Sequence, residues 1–375
     1  MASGFSLKDQ LFNGEKVTFL AGLFAAVEPG FDAERFHREV MAELPQLELK
    51  QRISLIAQVL DRHLPQSFDQ LSTVLLAALP APLDPAKSDD DFGDFIFAPL
   101  GELVGLRGLD TAPKASLDLL AELTKRFSME WAVRPFLTRW TDLTLRRMET
   151  WAEDDNYHLR RLVSEGTRPR LPWGQSVPLR LDQPLPLLDR LYQDPTRYVI
   201  RSVANHLNDI TKKDPDLVMQ RLQQWRAQDL RDPAEFDWLT GHTLRGLVKQ
   251  GHSGAMEMLG YDPAAPVTAH LQLAALPVRI GQALEFECQL NGPAGTPVLV
   301  DYRLHFQRPG GRLSTKVFKL KQTRLTGGNT ELRKRHPLKA DASTFTLLPG
   351  RHRLDLLVNG IERGSLTFDL LDRST

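Results

Sequence analysis

Cysteine is almost absent from this chain of 375 residues, which contains Cys288 alone. A single thiol excludes an intramolecular disulfide, a multi-cysteine zinc site and a CxxC redox pair. No uncharged apolar run approaches the roughly 18 residues that a membrane-spanning helix needs, since the longest, Leu71–Leu79, is followed by Pro80 and Pro82. The first ten residues also lack the pattern of a secretion signal. We therefore expect a cytoplasmic protein with no membrane partner.

Net charge is absent as well, because 47 Lys and Arg balance 47 Asp and Glu, but the charges are unevenly spread. From Val267 to the end, sixteen basic residues stand against nine acidic ones. The preceding part of the chain therefore carries the matching acidic excess. A basic module is typical of proteins that bind nucleic acid or another polyanion, and it is also common on the solvated surface of a β domain. The charge pattern leaves both interpretations open.

The residue pattern changes near residue 262. Before that point, apolar residues recur at helical spacing in short segments that end at Pro or Gly, whereas afterwards β-rich segments alternate with Gly- and Pro-containing turns. The predicted helices include Glu15–Val27, Asp32–Leu44, Leu49–His63, Ser67–Leu79 and Ser116–Phe127. The predicted strands are His270–Leu273, Leu284–Leu290, Val298–Gln307, Lys316–Leu325, Thr330–Arg335, His352–Val358 and Ser365–Leu371. Seven short strands favour an immunoglobulin-like sandwich.

A short motif recurs within the helical part. The frame aromatic-x-apolar-Arg, with His allowed as the last ring, occurs at Trp131–Arg134, Tyr157–Arg160, Tyr198–Arg201 and His242–Arg245. The last two spacings, 41 and 44 residues, match a two-helix HEAT-type repeat, which buries its apolar face only by stacking on its neighbours. We predict a mainly α protein, with an α-α superhelix of HEAT-like repeats over residues 1–262 and an all-β immunoglobulin-like sandwich over residues 267–375.

Two of the predicted repeat helices separate into an apolar and a polar face. On the helix from Tyr157 to Glu165, the aliphatic residues lie on one side at 100° per residue. The other side carries Tyr157, Arg160, Arg161, Ser164 and Glu165. Stacked repeats would then form a continuous polar and basic wall suited to a phosphate backbone. The alternative is that these arginines are solvated or pair with acids across repeats, and periodicity does not decide between the two.

Two carboxylates lie among these arginines. Glu130 is four residues before Arg134, and Glu165 is four residues after Arg161, which is the spacing of an ordinary helical ion pair. The stretch from Ser164 to Trp173 follows, in which Gly166 is suited to cap the helix and two prolines stiffen a turn. That turn presents two cations and an indole, which are Arg168, Arg170 and Trp173.

The segments 129–137 (MEWAVRPFL) and 156–173 (NYHLRRLVSEGTRPRLPW) resemble the HEAT-like DNA alkylation repair glycosylases of the AlkC and AlkD group. The opening segment LKDQLFN (residues 7–13) and the appended immunoglobulin-like domain are similar to AlkC. Met129 and Trp131 stand where the family pattern has Ser and Phe. The resemblance implies excision of cationic N-alkylated bases, such as 3-methyladenine, from duplex DNA. It also implies that no metal or cofactor takes part and that the damaged nucleotide is not swung into a deep pocket.

By this likeness, Glu130 and Glu165 match acidic positions at the lesion site, and Arg161 and Trp173 match DNA-facing groups. A carboxylate near the sugar would stabilise the cationic deoxyribose that remains when the base leaves. With the polar wall included, the predicted DNA-binding residues are Trp131, Arg134, Tyr157, Arg160, Arg161, Arg168, Arg170, Trp173, Arg201 and Arg245.

The predicted partner is duplex DNA containing alkylated bases, and we expect a monomer that acts at the bacterial nucleoid. 3-Methylcytosine is a further expected substrate, and the sequence does not rank 3-methyladenine, 3-methylcytosine and 7-methylguanine. The competing hypothesis is a non-catalytic HEAT-repeat adaptor that binds DNA or a protein along the same wall. An adaptor needs the arginines but not Glu130 and Glu165.

Overall fold

The computed structural model describes residues 6–87, 92–274, 276–340 and 346–373. The remaining residues of the two predicted domains, which include residues 1–5, lie outside the described ranges. Helices occupy the chain as far as Met258, and strands follow from Thr268 to Leu371. The predicted fold class is therefore confirmed. No helix in the described ranges is both long and apolar enough to cross a bilayer.

The helices are short, and several begin where the sequence supplies a capping side chain. Asn13, Asp32 and Ser67 each accept a hydrogen bond from the backbone N–H three residues further on, which satisfies one of the free N–H groups at a helix start. The helices are α1 (Leu7–Leu11), α2 (Gly14–Ala25), α3 (Ala33–Glu43), α4 (Leu49–His63), α5 (Phe68–Ala78), α6 (Ala98–Gly108), α7 (Pro113–Thr124), α8 (Arg134–Arg139), α9 (Thr141–Trp151), α10 (Tyr157–Gly166), α11 (Leu185–Leu191), α12 (Arg197–Ile210), α13 (Pro215–Arg226), α14 (Pro233–Gln250) and α15 (Ser253–Met258). The five predicted helices correspond to α2, α3, α4, α5 and α7, with ends shifted by three residues or fewer.

Helices from successive pairs lie side by side. α4 packs on α6, and α10 packs on α12, which is the stacking that a repeat protein needs to bury its apolar faces. Gly166 is the last residue of α10, and the residue after it is in the right-handed region. A Cβ on Gly166 would lie 2.8 Å from Cγ1 of Val133. Gly166 therefore allows a close approach between segments, and Thr167 occupies the cap position that we predicted for Gly166.

The strands form two sheets that enclose an apolar core. They are β1 (Thr268–Leu273), β2 (Val278–Arg279), β3 (Ala283–Asn291), β4 (Pro297–Arg308), β5 (Arg312–Arg324), β6 (Thr330–Pro337), β7 (Gly350–Val358) and β8 (Ile361–Leu371). One sheet has the order β1-β3-β6 and the other has the order β2-β8-β7-β4-β5. The core includes Phe286 of the first sheet and Tyr302 and Leu354 of the second. Burial alternates along β3, whereas the first half of β4 is buried continuously and only its second half alternates.

By packing, the chain divides into two compact units, one comprising Met1–Lys213 and Gln223–Thr243, the other Asp214–Leu222 and Leu244–Thr375. The end of α14 and all of α15 thus belong with the sandwich, and Met256 packs on Leu299 of β4. Asn359, between β7 and β8, donates a hydrogen bond to the carbonyl of Asp262 at 2.9 Å. The predicted boundary between residues 1–262 and 267–375 does not coincide with the bounds of these units. It remains a prediction.

Candidate functional site

Glu130 and Glu165 meet at the same guanidinium group. Glu130 lies in the turn before α8, whereas Arg161 and Glu165 lie on α10. Nη1 of Arg161 donates to Oε2 of Glu130 at 2.9 Å, and Nη2 of Arg161 lies 3.8 Å from Oε2 of Glu165. The structure therefore brings the two predicted acidic residues together around one cation.

The carboxylate of Glu165 is enclosed by donors. Nη1 of Arg168 donates to Oε1 at 2.5 Å, and Oγ of Ser202 donates to Oε2 at 2.6 Å. Burial of the side chain opposes its charge, but the cations of Arg161 and Arg168 outweigh that effect and hold the pKa of Glu165 below its ordinary value. Glu165 is thus a buried anion with both oxygens engaged.

Glu130 is more open than Glu165. Its side chain is 18% exposed, against 6% for Glu165. Oγ of Ser128 donates to Oε2 of Glu130 at 2.9 Å, and Arg161 donates to the same oxygen. The described residues therefore leave Oε1 of Glu130 available to a ligand. Ser128 was not among the predicted site residues, because nothing in its sequence context indicates this contact.

A third carboxylate joins the cluster through Arg168. Nε and Nη2 of Arg168 donate to Oδ2 of Asp209 at 2.9 and 2.8 Å, and Lys212 donates to Oδ1 at 2.7 Å. Asp209 is buried, and it was not among the predicted site residues. Its position on the polar face of α12 made it a candidate from the sequence, more as a partner of a nearby cation than as a catalytic group. We call Glu130, Glu165, Asp209, Arg161 and Arg168 the carboxylate cluster.

Two rings of α12 complete the surroundings of the cluster. The guanidinium of Arg161 lies 4.5 Å from the ring centroid of Tyr198, which is within the range of a cation–π contact. Burial opposes the charge of Arg161, but Glu130 and Glu165 raise its pKa above the ordinary value. His206 is fully buried, with Nδ1 3.0 Å from the carbonyl oxygen of Ser164. Burial lowers the pKa of His206 to about 4, so this imidazole is neutral at pH 7.

The polar wall is mostly an interior contact between α10 and α12. Oγ of Ser202 lies 3.0 Å from Oγ of Ser164 across the two helices, and Tyr157 is only 2% exposed. Arg160 donates to both carboxylate oxygens of Asp194, at 2.5 and 3.1 Å. The sequence left open whether these arginines bind DNA or pair with acids across repeats, and Arg160 does the second. These placements argue against DNA contacts by Tyr157 and Arg160.

Arg134 has a different environment from the one that we predicted. Its side chain is fully buried and donates to three backbone carbonyls, those of Gln175 at 2.6 Å, Gly166 at 2.8 Å and Arg168 at 3.0 Å. Burial, together with the nearby charge of Arg168, lowers the pKa of Arg134 to about 10. Arg134 thus anchors the loop after α10, and its burial argues against contact with a phosphate.

The loop after α10 presents an exposed indole. Trp173 is 59% exposed, and its backbone is left-handed with a φ of 60°, which is unfavourable for a bulky residue. Two side chains from outside the loop stabilise its backbone. Lys50 donates to the carbonyl of Trp173 at 2.7 Å, and Nε1 of Trp131 donates to the carbonyl of Pro172 at 3.3 Å. Strain that is stabilised by its surroundings is typical of functional sites.

Arg170, Arg201 and Arg245 differ in position. Arg170 is exposed in the same loop as Trp173. Arg201 is partly buried on α12, and Arg245 is partly buried on α14 and belongs to the second compact unit. Within the described ranges, no group of three or more His, Cys, Asp or Glu side chains is arranged to hold a metal ion.

Comparisons with known proteins identify relatives of the whole chain. Residues 267–372 match a family model described as the C-terminal Ig-like domain of the uncharacterised protein YhaZ. The uncharacterized protein YhaZ of Bacillus subtilis (strain 168) is 32% identical over 367 residues, which cover 96% of this chain and 98% of YhaZ. The solved structure of Pseudomonas fluorescens alkylpurine DNA glycosylase AlkC, bound to DNA containing an abasic site analog, is 33% identical with a TM-score of 0.86. It covers 98% of this chain and 99% of AlkC. The chain therefore belongs to the AlkC family of alkylpurine DNA glycosylases.

Proposed function

We propose that this protein hydrolyses the N-glycosidic bond of cationic N-alkylated bases in duplex DNA, with 3-methyladenine and 3-methylcytosine as substrates. The observation that carries the proposal is the pair of carboxylates, Glu130 and Glu165, held on Arg161 beside the exposed loop of Trp173. Membership of the AlkC family supports it, since the solved relative is an alkylpurine DNA glycosylase bound to DNA with an abasic site analog.

The chemistry requires stabilisation of a positive sugar more than protonation of the base. An alkylated base is already cationic, so it leaves as a neutral molecule when the bond electrons return to its ring. The deoxyribose that remains has oxocarbenium character, which a fixed carboxylate stabilises. Oε1 of Glu130 is the acceptor that the described residues leave open, and we assign it to the sugar and to the attacking water.

Glu165 has a different task in this proposal. Both of its oxygens accept hydrogen bonds within the protein, so it does not need to touch the substrate. Its charge fixes Arg161 and Arg168, and Arg161 in turn fixes Glu130. We therefore propose Glu130 as the catalytic residue and Glu165 as a positioning residue.

The proposed DNA contacts are the exposed or partly exposed groups around the loop after α10. They are Trp131, Arg170 and Trp173, whose rings and charge can contact sugars, bases and phosphates. Arg201 and Arg245, which are partly buried, remain proposed contacts. The proposed substrate is chromosomal DNA, and the proposal places a monomeric enzyme in the cytoplasm, on the nucleoid.

Release of free 3-methyladenine from a methylated duplex under single-turnover conditions tests the proposal. The Glu130→Gln variant should release the base about 100-fold more slowly, because one charge-stabilising group is lost, while its affinity for duplex containing an abasic site analog is retained. Glu149→Gln, an exposed position on α9, is the matched control and should excise at the wild-type rate. DNA binding without release of any base by the wild-type protein would instead favour the adaptor hypothesis.

A further inference from the structure

An apolar cleft of about 400 Å³ lies next to the carboxylate cluster. It is formed by α4, α6 and the segments 127–135 and 173–175, and the indoles of Trp131 and Trp173 line it. Ser128 lines the cleft as well, and its Oγ is 2.9 Å from Oε2 of Glu130. Ser128 therefore links the cleft to the proposed catalytic carboxylate.

The few polar groups of the cleft suit a flat molecule with an amine. Among the residues that the structure describes, the carboxylate of Glu102 has no hydrogen-bond or ion-pair partner, and it lines the cleft. Nζ of Lys50 is already engaged by the carbonyl of Trp173. An apolar cavity of this size with few polar groups is typical of small-molecule sites, and indole rings stack on flat heteroaromatic ligands.

We propose that this cleft binds the free base after excision, an inference that rests on the proposed function. When the C1′–N bond breaks, both of its electrons go to the base, so the positive charge of the alkylated base is cancelled and passes to the sugar. Water then adds to the sugar and loses a proton. The leaving base is thus a flat, neutral heteroaromatic molecule with an exocyclic amine, which an apolar cleft accommodates better than a cation. The carboxylate of Glu102 accepts a hydrogen bond from that amine.

A glycine of α6 offers a way to fill the cleft. Gly105 lines it, and a Cβ at that position would meet no atom within 4 Å. Gly105→Leu therefore places a side chain in the cleft without a collision at Cβ. Gly22 of α2 is the matched control, because its Cβ would also meet no atom within 4 Å and it does not line the cleft.

Titration with free 3-methyladenine, followed by saturation-transfer NMR in the absence of DNA, tests the inference. Wild type and Gly22→Leu should bind the base saturably, and Gly105→Leu should bind it about tenfold more weakly, since the added side chain takes its place. Glu102→Gln should weaken binding about fivefold through loss of a charged acceptor. Melting temperatures of the three variants establish that each is folded.

Two results would overturn the inference: no saturable binding by the wild-type protein, or equal affinity of wild type, Gly105→Leu and Glu102→Gln. Because the titration contains no DNA, its result is independent of excision. A protein that excises the base but does not bind it afterwards would retain the proposed function and lose the cleft site. A protein that binds the base but excises nothing would retain the site and lose the proposed function.

Discussion

Two buried carboxylates, one in each compact unit, are held in nearly the same way. Glu165 of α10 lies between Arg161 and Arg168. Asp355 of β7 accepts hydrogen bonds from Nε of Arg303 at 2.8 Å and from Nε of Arg353 at 2.5 Å. Burial opposes the charge of Asp355, but hydrogen bonds from His305 and the two arginines lower its pKa to about 2.

The two clusters differ in what surrounds them. In the sheet, both arginines also donate to Glu362, at 2.8 Å each, so the guanidinium groups have their counter-charges inside the cluster. In the helical unit, Glu130 keeps an oxygen that the described residues do not use, and a cleft and an exposed indole lie beside it. A buried anion between two arginines is therefore a structural device in both places. An open acceptor next to a cavity is what distinguishes the candidate active site.

The strongest way to break this comparison is to neutralise both anions. Glu165→Gln should lower the free energy of unfolding by about 3 kcal/mol, because the nearly buried Arg161 and Arg168 lose a shared counter-charge. Asp355→Asn should lower it by less, because Arg303 and Arg353 are partly exposed and keep Glu362 as a partner. Only Glu165→Gln should slow base excision, by about 100-fold, since it releases the cations that position Glu130. Urea unfolding and single-turnover excision measure the two effects. Loss of excision in a folded Asp355→Asn protein would contradict the distinction.

The pH dependence of stability sharpens the comparison further. Burial lowers the pKa of His206 to about 4, whereas an unfolded His has a pKa of about 6.5. Between these values the unfolded chain binds the extra proton, so stability is present above pH 6.5 and is lost as the pH falls. The expected loss from His206 between pH 7 and pH 5 is about 2 kcal/mol.

Urea unfolding of wild type and His206→Gln at both pH values measures this contribution. The variant should show a smaller decrease of stability towards pH 5 than wild type. His270→Gln, an exposed position on β1, serves as the control and should keep the wild-type decrease. Equal decreases in all three proteins would show that folding does not lower the pKa of His206.

The smallest expected effect concerns exposed arginines. Arg170 is exposed in the loop of the proposed site, whereas Arg333 on β6 is exposed but pairs with Glu287 at 2.9 Å. Arg170→Ala should weaken binding to duplex DNA a few-fold and reduce the slope of log affinity against log salt by about one. Arg333→Ala should leave both unchanged. A salt titration of both variants checks this, and an equal change in the two slopes would remove Arg170 from the proposed interface.

The fold was predictable to the extent that local patterns determine it. Apolar residues at helical spacing located five helices within three residues. Alternation located β3, and a β-rich apolar run located β4. β2 was missed, because two residues are too few to show any alternation.

The site was only partly predictable, because a helical face does not reveal what packs on it. The faces placed Glu165 beside Arg161, but not the packing of α12 on α10, which buries Glu165 against Ser202. Arg134 was assigned to DNA because its partners are backbone carbonyls, which leave no signal in a sequence. Arg168 and Asp209 are 41 residues apart, and their pairing depends on the stacking of repeats.

The path of the chain between the two compact units limits how the protein can be dissected. Residues 214–222 belong to the second unit, residues 223–243 return to the first, and the second resumes at Leu244. Truncation at residue 262 would therefore remove Met256 and Tyr261 from the apolar patch that they form with Leu299, as well as the Asp262 carbonyl that accepts from Asn359. An isolated sandwich beginning at Val267 would present that patch to water. A fragment meant to fold on its own should therefore begin at Leu244. It would still lack residues 214–222 of α13, which also belong to the second unit.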